Sequence, residues 1–285
     1  MKHLKIFIEL TRLNKPIGFM LLFWPCSWGL TYAKSFSQNN SIYFYYLILF
    51  FFGSLLMRSA GCIFNDIVDK DFDKKVKRTK KRPLAANIIS VNHAFFYVAF
   101  LCFFAFLILI QFNTLTIFLG LGSMLLAFSY PFMKRITYWP QLFLGITFNW
   151  GIIMSWTSMG YDISYDILTL YTAAIFWTLG YDTIYGAQDM SDDEIIGIKS
   201  TSIKFKQNLR LFILVAYIIT ILNLTYFFYD MIGWNIFSIF LICFFLSLIF
   251  QVYKFDKSNP KKCLQIFKSN NYSGLFLFTG ILLIN

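Results

Sequence analysis

Apolar and polar residues along this chain separate into long blocks. The apolar runs cover roughly 17–33, 42–64, 94–111, 114–132, 138–158, 166–187, 209–229, 232–253 and 271–285. Most of them approach the ~20 residues that a bilayer-spanning helix needs. Residues 1–16 precede the first run and read as a short interfacial segment holding Lys2, Lys5, Arg12 and Lys15. The longest polar connection is 65–93, followed by 188–208 and a basic stretch at 254–270. The pattern predicts an all-α protein, a polytopic membrane bundle of nine transmembrane helices, organised as one domain over 1–285.

Composition agrees with that pattern. The chain is 58% hydrophobic and 21% aromatic, with 14% charged residues, against about 25% for a soluble domain. Its N-terminus lacks the small-residue pattern of a cleavable signal peptide. Five scattered cysteines offer no zinc-site or disulfide spacing, and His3 and His93 fall near predicted membrane edges. The net charge of +11 would suit nucleic acid or anionic lipid, but its distribution argues otherwise. Nine spans put alternate loops on opposite sides. The segments on the side of the N-terminus hold 23 of the 25 Lys and Arg residues, a positive-inside bias that predicts a cytoplasmic N-terminus.

Two acidic stretches interrupt the apolar blocks on that same side. In the first, Asn65 is followed by Asp66, Asp69, Asp71 and Asp73. If the helix continues, Asp66, Asp69 and Asp73 share one face. In the second, Asp182, Asp189 and Asp193 also share a face. Like charges gathered this way repel one another, and oxygen-only ligands favour Mg²⁺ or another hard divalent ion. The loop after the first cluster carries Lys77, Arg78 and Arg82. Carboxylates beside guanidinium and ammonium groups suit a metal-bound diphosphate, with Arg and Lys on phosphate oxygens. Solvated helix ends beside an ordinary basic loop are the plainer reading.

Arg58 and Asp182 each lie seven residues before the membrane-edge part of their motifs, about 10 Å deeper on a helix. Intramembrane charge is costly. Either the two form a structural pair, or they line a polar pocket for a small acid with Arg58 on its carboxylate.

These residues resemble the 4-hydroxybenzoate polyprenyltransferases of the UbiA-type intramembrane prenyltransferase superfamily. The likeness runs through Arg12-Leu13-Asn14-Lys15-Pro16, Trp24-Pro25, Arg58-Ser59-Ala60-Gly61-Cys62, Arg78-Thr79 with Arg82-Pro83-Leu84, Tyr130-Pro131 with Lys134-Arg135, Tyr181-Asp182-Thr183, and Ile196-Gly197-Ile198-Lys199-Ser200-Thr201, besides both Asp motifs. The resemblance implies a bundle around a central cavity and Mg²⁺-dependent transfer of a polyprenyl group from its diphosphate to the ring of 4-hydroxybenzoate, ortho to the phenol, in ubiquinone synthesis. It implies metal binding by Asn65, Asp66, Asp69, Asp73, Asp189 and Asp193, and diphosphate binding by Arg12, Lys77, Arg78, Arg82 and Lys134. Asp182 would orient the phenol or assist proton loss, and Arg58 or Arg135 would hold the carboxylate. The expected partners are polyprenyl diphosphate, 4-hydroxybenzoate and the lipid bilayer, with no nucleic acid. The expected location is a bacterial inner membrane, with the active-site loops cytoplasmic. Two other readings stand beside this one: a different acceptor, such as a naphthoate, homogentisate or haem, and a divalent-cation or organic-anion carrier.

Overall fold

A computed structural model of the chain describes residues 2–37, 40–76 and 78–284. Among the described residues it is all helical. The helices are α1 (Lys2–Thr11), α2 (Ile17–Lys34), α3 (Asn40–Val68), α4 (Lys70–Asp73), α5 (Val91–Leu109), α6 (Thr114–Ile136) and α7 (Pro140–Ser158). They continue with α8 (Tyr165–Gly186), α9 (Met190–Ile195), α10 (Thr201–Lys204), α11 (Leu209–Phe227), α12 (Ile236–Lys254) and α13 (Pro260–Leu282).

Five of these, α3, α5, α6, α11 and α12, are long and apolar enough to cross a membrane. By the same measure α2, α7, α8 and α13 fall short, although each has 18 residues or more. Their position accounts for much of this. α2 packs against α3, α7, α8 and α13 at the centre of the bundle, and almost all of its second half is buried. Helices covered by other helices can carry polar residues that lipid would penalise. Asn149 of α7 bonds the Ala174 carbonyl at 3.1 Å and Thr178 Oγ1 at 2.8 Å. Trp177 Nε1 of α8 donates to Asn270 Oδ1 of α13 at 2.9 Å, and Asn270 exchanges bonds of 3.1 Å with Gln251 of α12.

Helix ends follow local chemistry. Asn113, Ser164 and Asn235 cap α6, α8 and α12 by accepting a backbone N–H three residues on. The last helix departs from the sequence expectation, beginning at Pro260 rather than near 271. Asn259 caps it, Pro260 takes its first turn, and Cys263 and Ile266 bury one face while Lys261 and Lys268 face outward. The basic stretch is thus amphipathic helix rather than loop.

Close helix crossings depend on small residues. A Cβ at Gly29 of α2 would stand 2.6 Å from the Ile152 carbonyl oxygen of α7, and a backbone oxygen has little freedom to yield. Gly29→Leu is therefore expected to cost at least the ~1–3 kcal/mol typical of overpacking, read as a lower thermal unfolding midpoint in detergent.

Candidate functional site

The central cavity has a volume of about 1690 Å³. Its deep part is apolar, with Phe50, Leu109, Phe112 and Met154 in its walls, and its mouth is rimmed by both acidic stretches. α3 and α8 deliver those stretches in the same way. α3 stops at Val68, Asp69 adopts φ −93°, ψ 2°, and α4 restarts at Lys70. α8 stops at Gly186, Asp189 adopts φ −109°, ψ 5°, and α9 restarts at Met190. Each middle aspartate thus occupies the sparsely populated bridge region of backbone space. Hydrogen bonds from Asp73 N to Asp69 O and from Asp193 N to Asp189 O, both 2.8 Å, carry the helical spacing past each break. The carboxylates therefore stay on the cavity side.

Basic side chains hold these carboxylates. Asp66 Oδ1 accepts from Arg12 Nη2 at 2.7 Å and from Arg82 Nη1 at 3.1 Å. Arg82 Nη1 also donates to Asp73 Oδ2 at 2.7 Å. Asp69 Oδ2 accepts from Lys134 and, at 2.9 Å, from Asn65 Nδ2. Asp189 is clasped by Arg78, with Nε at 2.8 Å and Nη2 at 2.5 Å. That last pair ties the loop after the first acidic stretch to the start of α9, so the two helix ends converge on one mouth. Arg12 reaches Asp66 from a left-handed backbone conformation with φ 56°, which is strained for a residue with a Cβ.

Burial pushes the Asp73 carboxyl up, and Arg82 opposes that push. Burial, and then the neighbouring charge of Asp189, push Asp193 up to about 6. Asp193 has no ion pair among the described residues. Asp69 Oδ1 is buried without a hydrogen-bond donor. These are oxygen donors with coordination capacity to spare, which fits a hard divalent cation. Yet among the described residues no three acidic groups are placed to hold one ion as they are; Asp66, Asp69, Asp73 and Asp189 are turned to Arg12, Arg82, Lys134 and Arg78.

The remaining sequence candidates are placed as follows. Arg58 and Asp182 both line the cavity below the acidic rim. They lie within electrostatic reach of each other, but no ion pair joins them among the described residues. The Arg58 guanidinium lies 5.3 Å from the Phe148 ring centre, and its Nε is buried with no acceptor. Arg135 lies outside the cavity lining. It donates to the Val68 carbonyl at 2.7 Å, packs on the Phe72 ring and stands 3.7 Å from Asp69 Oδ1. Lys77 lies outside the described residues. Tyr130 of the Tyr130-Pro131 motif lines the cavity within electrostatic reach of Asp182, Arg58 and Asp69. Its position one helical turn before Lys134 was the signal available in the sequence.

A family model described as UbiA prenyltransferase family matches residues 22–279. The chain belongs to this family. Two relatives span nearly all of it. One, from Caenorhabditis elegans, is 41% identical over 98% of this chain and 78% of its own length. The other, from Bos taurus, is 40% identical over 100% of this chain and 76% of its own. Both are named 4-hydroxybenzoate polyprenyltransferase, mitochondrial. A solved UbiA homologue from Archaeoglobus fulgidus, bound to GPP and Mg²⁺, superposes with a TM-score of 0.69 at 18% identity, covering 98% of this chain and 99% of its own.

The relatives correct one expectation for this UbiA-family protein. A bacterial inner membrane with cytoplasmic loops is overturned by relatives that are mitochondrial by name. The positive-inside bias orders the loops relative to one another, and the identity of the membrane is not encoded in it.

The ion pairs at the mouth carry a stability test. Arg82→Ala would leave Asp66 and Asp73, both buried, with one cation fewer between them. Removing one partner of a buried pair typically costs about 3–5 kcal/mol. The expected outcome is a lower unfolding midpoint in chelator, partly restored by Mg²⁺, which differential scanning fluorimetry would read.

Proposed function

We propose that this protein is a Mg²⁺-dependent 4-hydroxybenzoate polyprenyltransferase of ubiquinone biosynthesis, acting as a single unit in a mitochondrial membrane with its nine long helices crossing the bilayer. The observation that carries this reading is the meeting of two acidic helix ends over a deep apolar cavity, with Asp66, Asp69, Asp73 and Asp189 each engaged by a phosphate-binding type of side chain. Relatives named 4-hydroxybenzoate polyprenyltransferase, about 40% identical over nearly the full chain, support the acceptor and the transferred group. Asn65, Asp66, Asp69, Asp73, Asp189 and Asp193 would hold Mg²⁺. When bound, Mg²⁺ supplies neutralisation of the charge that builds on the departing diphosphate.

Arg12, Arg78, Arg82 and Lys134 do the rest of that work. With the carboxylates holding Mg²⁺, these four side chains would bind phosphate oxygens instead, so few charges would stay unmatched. The allylic C–O bond breaks with its electron pair going to diphosphate. The carbon ortho to the phenol supplies the pair for the new C–C bond, and the proton at that carbon leaves. The apolar lower cavity holds the tail and keeps water from the allylic carbon. Arg58, which lines the cavity without an ion-pair partner among the described residues, takes the acceptor's carboxylate. Asp182, on the facing helix, orients the phenol or receives the proton. Arg135 steadies Asp69 from outside.

The test is incubation of the purified protein with Mg²⁺, 4-hydroxybenzoate and polyprenyl diphosphates of several lengths, followed by mass analysis. Ring-prenylated 4-hydroxybenzoate is expected, and prenylation of a naphthoate or homogentisate in its place would refute the acceptor assignment. Losing a charge-assisted contact costs ~1.5–3 kcal/mol, so Arg58→Ala should raise the acceptor KM at least about tenfold. Arg135→Ala should leave that KM unchanged.

A further inference from the structure

Gly61 lies on the cavity side of α3 between two residues already placed in the site. Arg58, Gly61 and Asn65 all line the cavity. They follow one another at three and four residues, on one face of the helix. Gly61 is about 4.5 Å above Arg58 and about 6 Å below Asn65 along the axis. A Cβ built at Gly61 would meet no atom within 4 Å. This sets it apart from Gly29, where the partner helix fills the space. Glycine inside a helix is less stable than alanine there, and no packing contact at Gly61 offsets that.

The open space has a shape that the reaction requires. 4-Hydroxybenzoate carries its carboxylate and its hydroxyl at opposite ends of a flat ring, and the reacting carbon adjoins the hydroxyl. With the carboxylate on Arg58 and the diphosphate at the level of Asn65, the ring has to pass residue 61. We infer that Gly61 is a specificity-determining residue: its missing side chain opens a slot in which the aromatic acceptor lies flat against the α3 backbone. The slot would take planar para-substituted aromatic acids and exclude any acceptor that needs room on the helix side. The inference rests on the function proposed above.

Gly61→Ala and Gly61→Leu test it, with Gly122→Ala as the control. Gly122 is an exposed glycine of α6, away from the cavity, and it too has no atom within 4 Å of a built Cβ. Both alanine variants should unfold at the same temperature as the unaltered protein or higher. A single methylene in a fitted pocket is worth ~10-fold or more in discrimination. Gly61→Ala should therefore raise the KM for 4-hydroxybenzoate about tenfold while the KM for polyprenyl diphosphate stays within about twofold. Gly61→Leu should raise it further, and Gly122→Ala should change neither value. Unchanged acceptor KM in folded Gly61→Ala and Gly61→Leu, or a fall in kcat alone, would overturn the role of Gly61 while leaving the proposed reaction standing. If the unaltered protein transfers no prenyl group to 4-hydroxybenzoate, the function reading fails first and this inference with it.

Discussion

Carboxylates buried at the rim of a membrane cavity need opposite charge at every moment. Desolvated acid groups without partners are among the most costly features a fold can carry. Here Asp66, Asp69 and Asp73 are all buried, and in this structure Arg12, Arg82 and Lys134 meet that demand. Asp189, more open, is met by Arg78. Arg12 meets Asp66 from a left-handed backbone conformation. Arg78, from the loop after the first acidic stretch, reaches Asp189 at the start of α9.

A site built in this way can exchange partners with little change in its overall charge matching. In the proposed reaction, metal and diphosphate entering together would draw the carboxylates to the metal and the basic groups to phosphate. Entry of either alone would leave one set of charges without its match. The two broken helix ends favour such a change, because Asp69 and Asp189 sit where the regular helix is already interrupted. The bundle beneath them is densely packed and hydrogen-bonded. α2 is held on four sides, and the Trp177–Asn270–Gln251 network locks α8 to α12 and α13.

Much of this arrangement is legible in the chain itself. Apolar run lengths mark the long helices, the Lys and Arg bias puts both acidic stretches on one side, and the aspartate spacing gives one shared face. What the sequence does not disclose is the pairing. Arg78 finds Asp189 across 111 residues, and nothing local to either says so. Arg58 and Arg135 look alike in sequence as carboxylate holders, yet one faces the cavity and the other packs outside it. Gly61 reads as one glycine of a motif, and only the empty space beside it separates it from the packing glycines. Five helices, α3, α5, α6, α11 and α12, are apolar enough by composition to cross a membrane, and the helices packed at the centre of the bundle are less apolar.

The most direct measurement of partner exchange is a binding linkage on the purified protein. Isothermal titration of Mg²⁺ would be done with and without a non-reactive thiolodiphosphate analogue, and then of the analogue with and without Mg²⁺. The exchange predicts weak binding of each alone and a large mutual gain, equal in both directions as linkage requires. Tight Mg²⁺ binding that is indifferent to the analogue would contradict it, since the metal site would then exist without any basic group having to move.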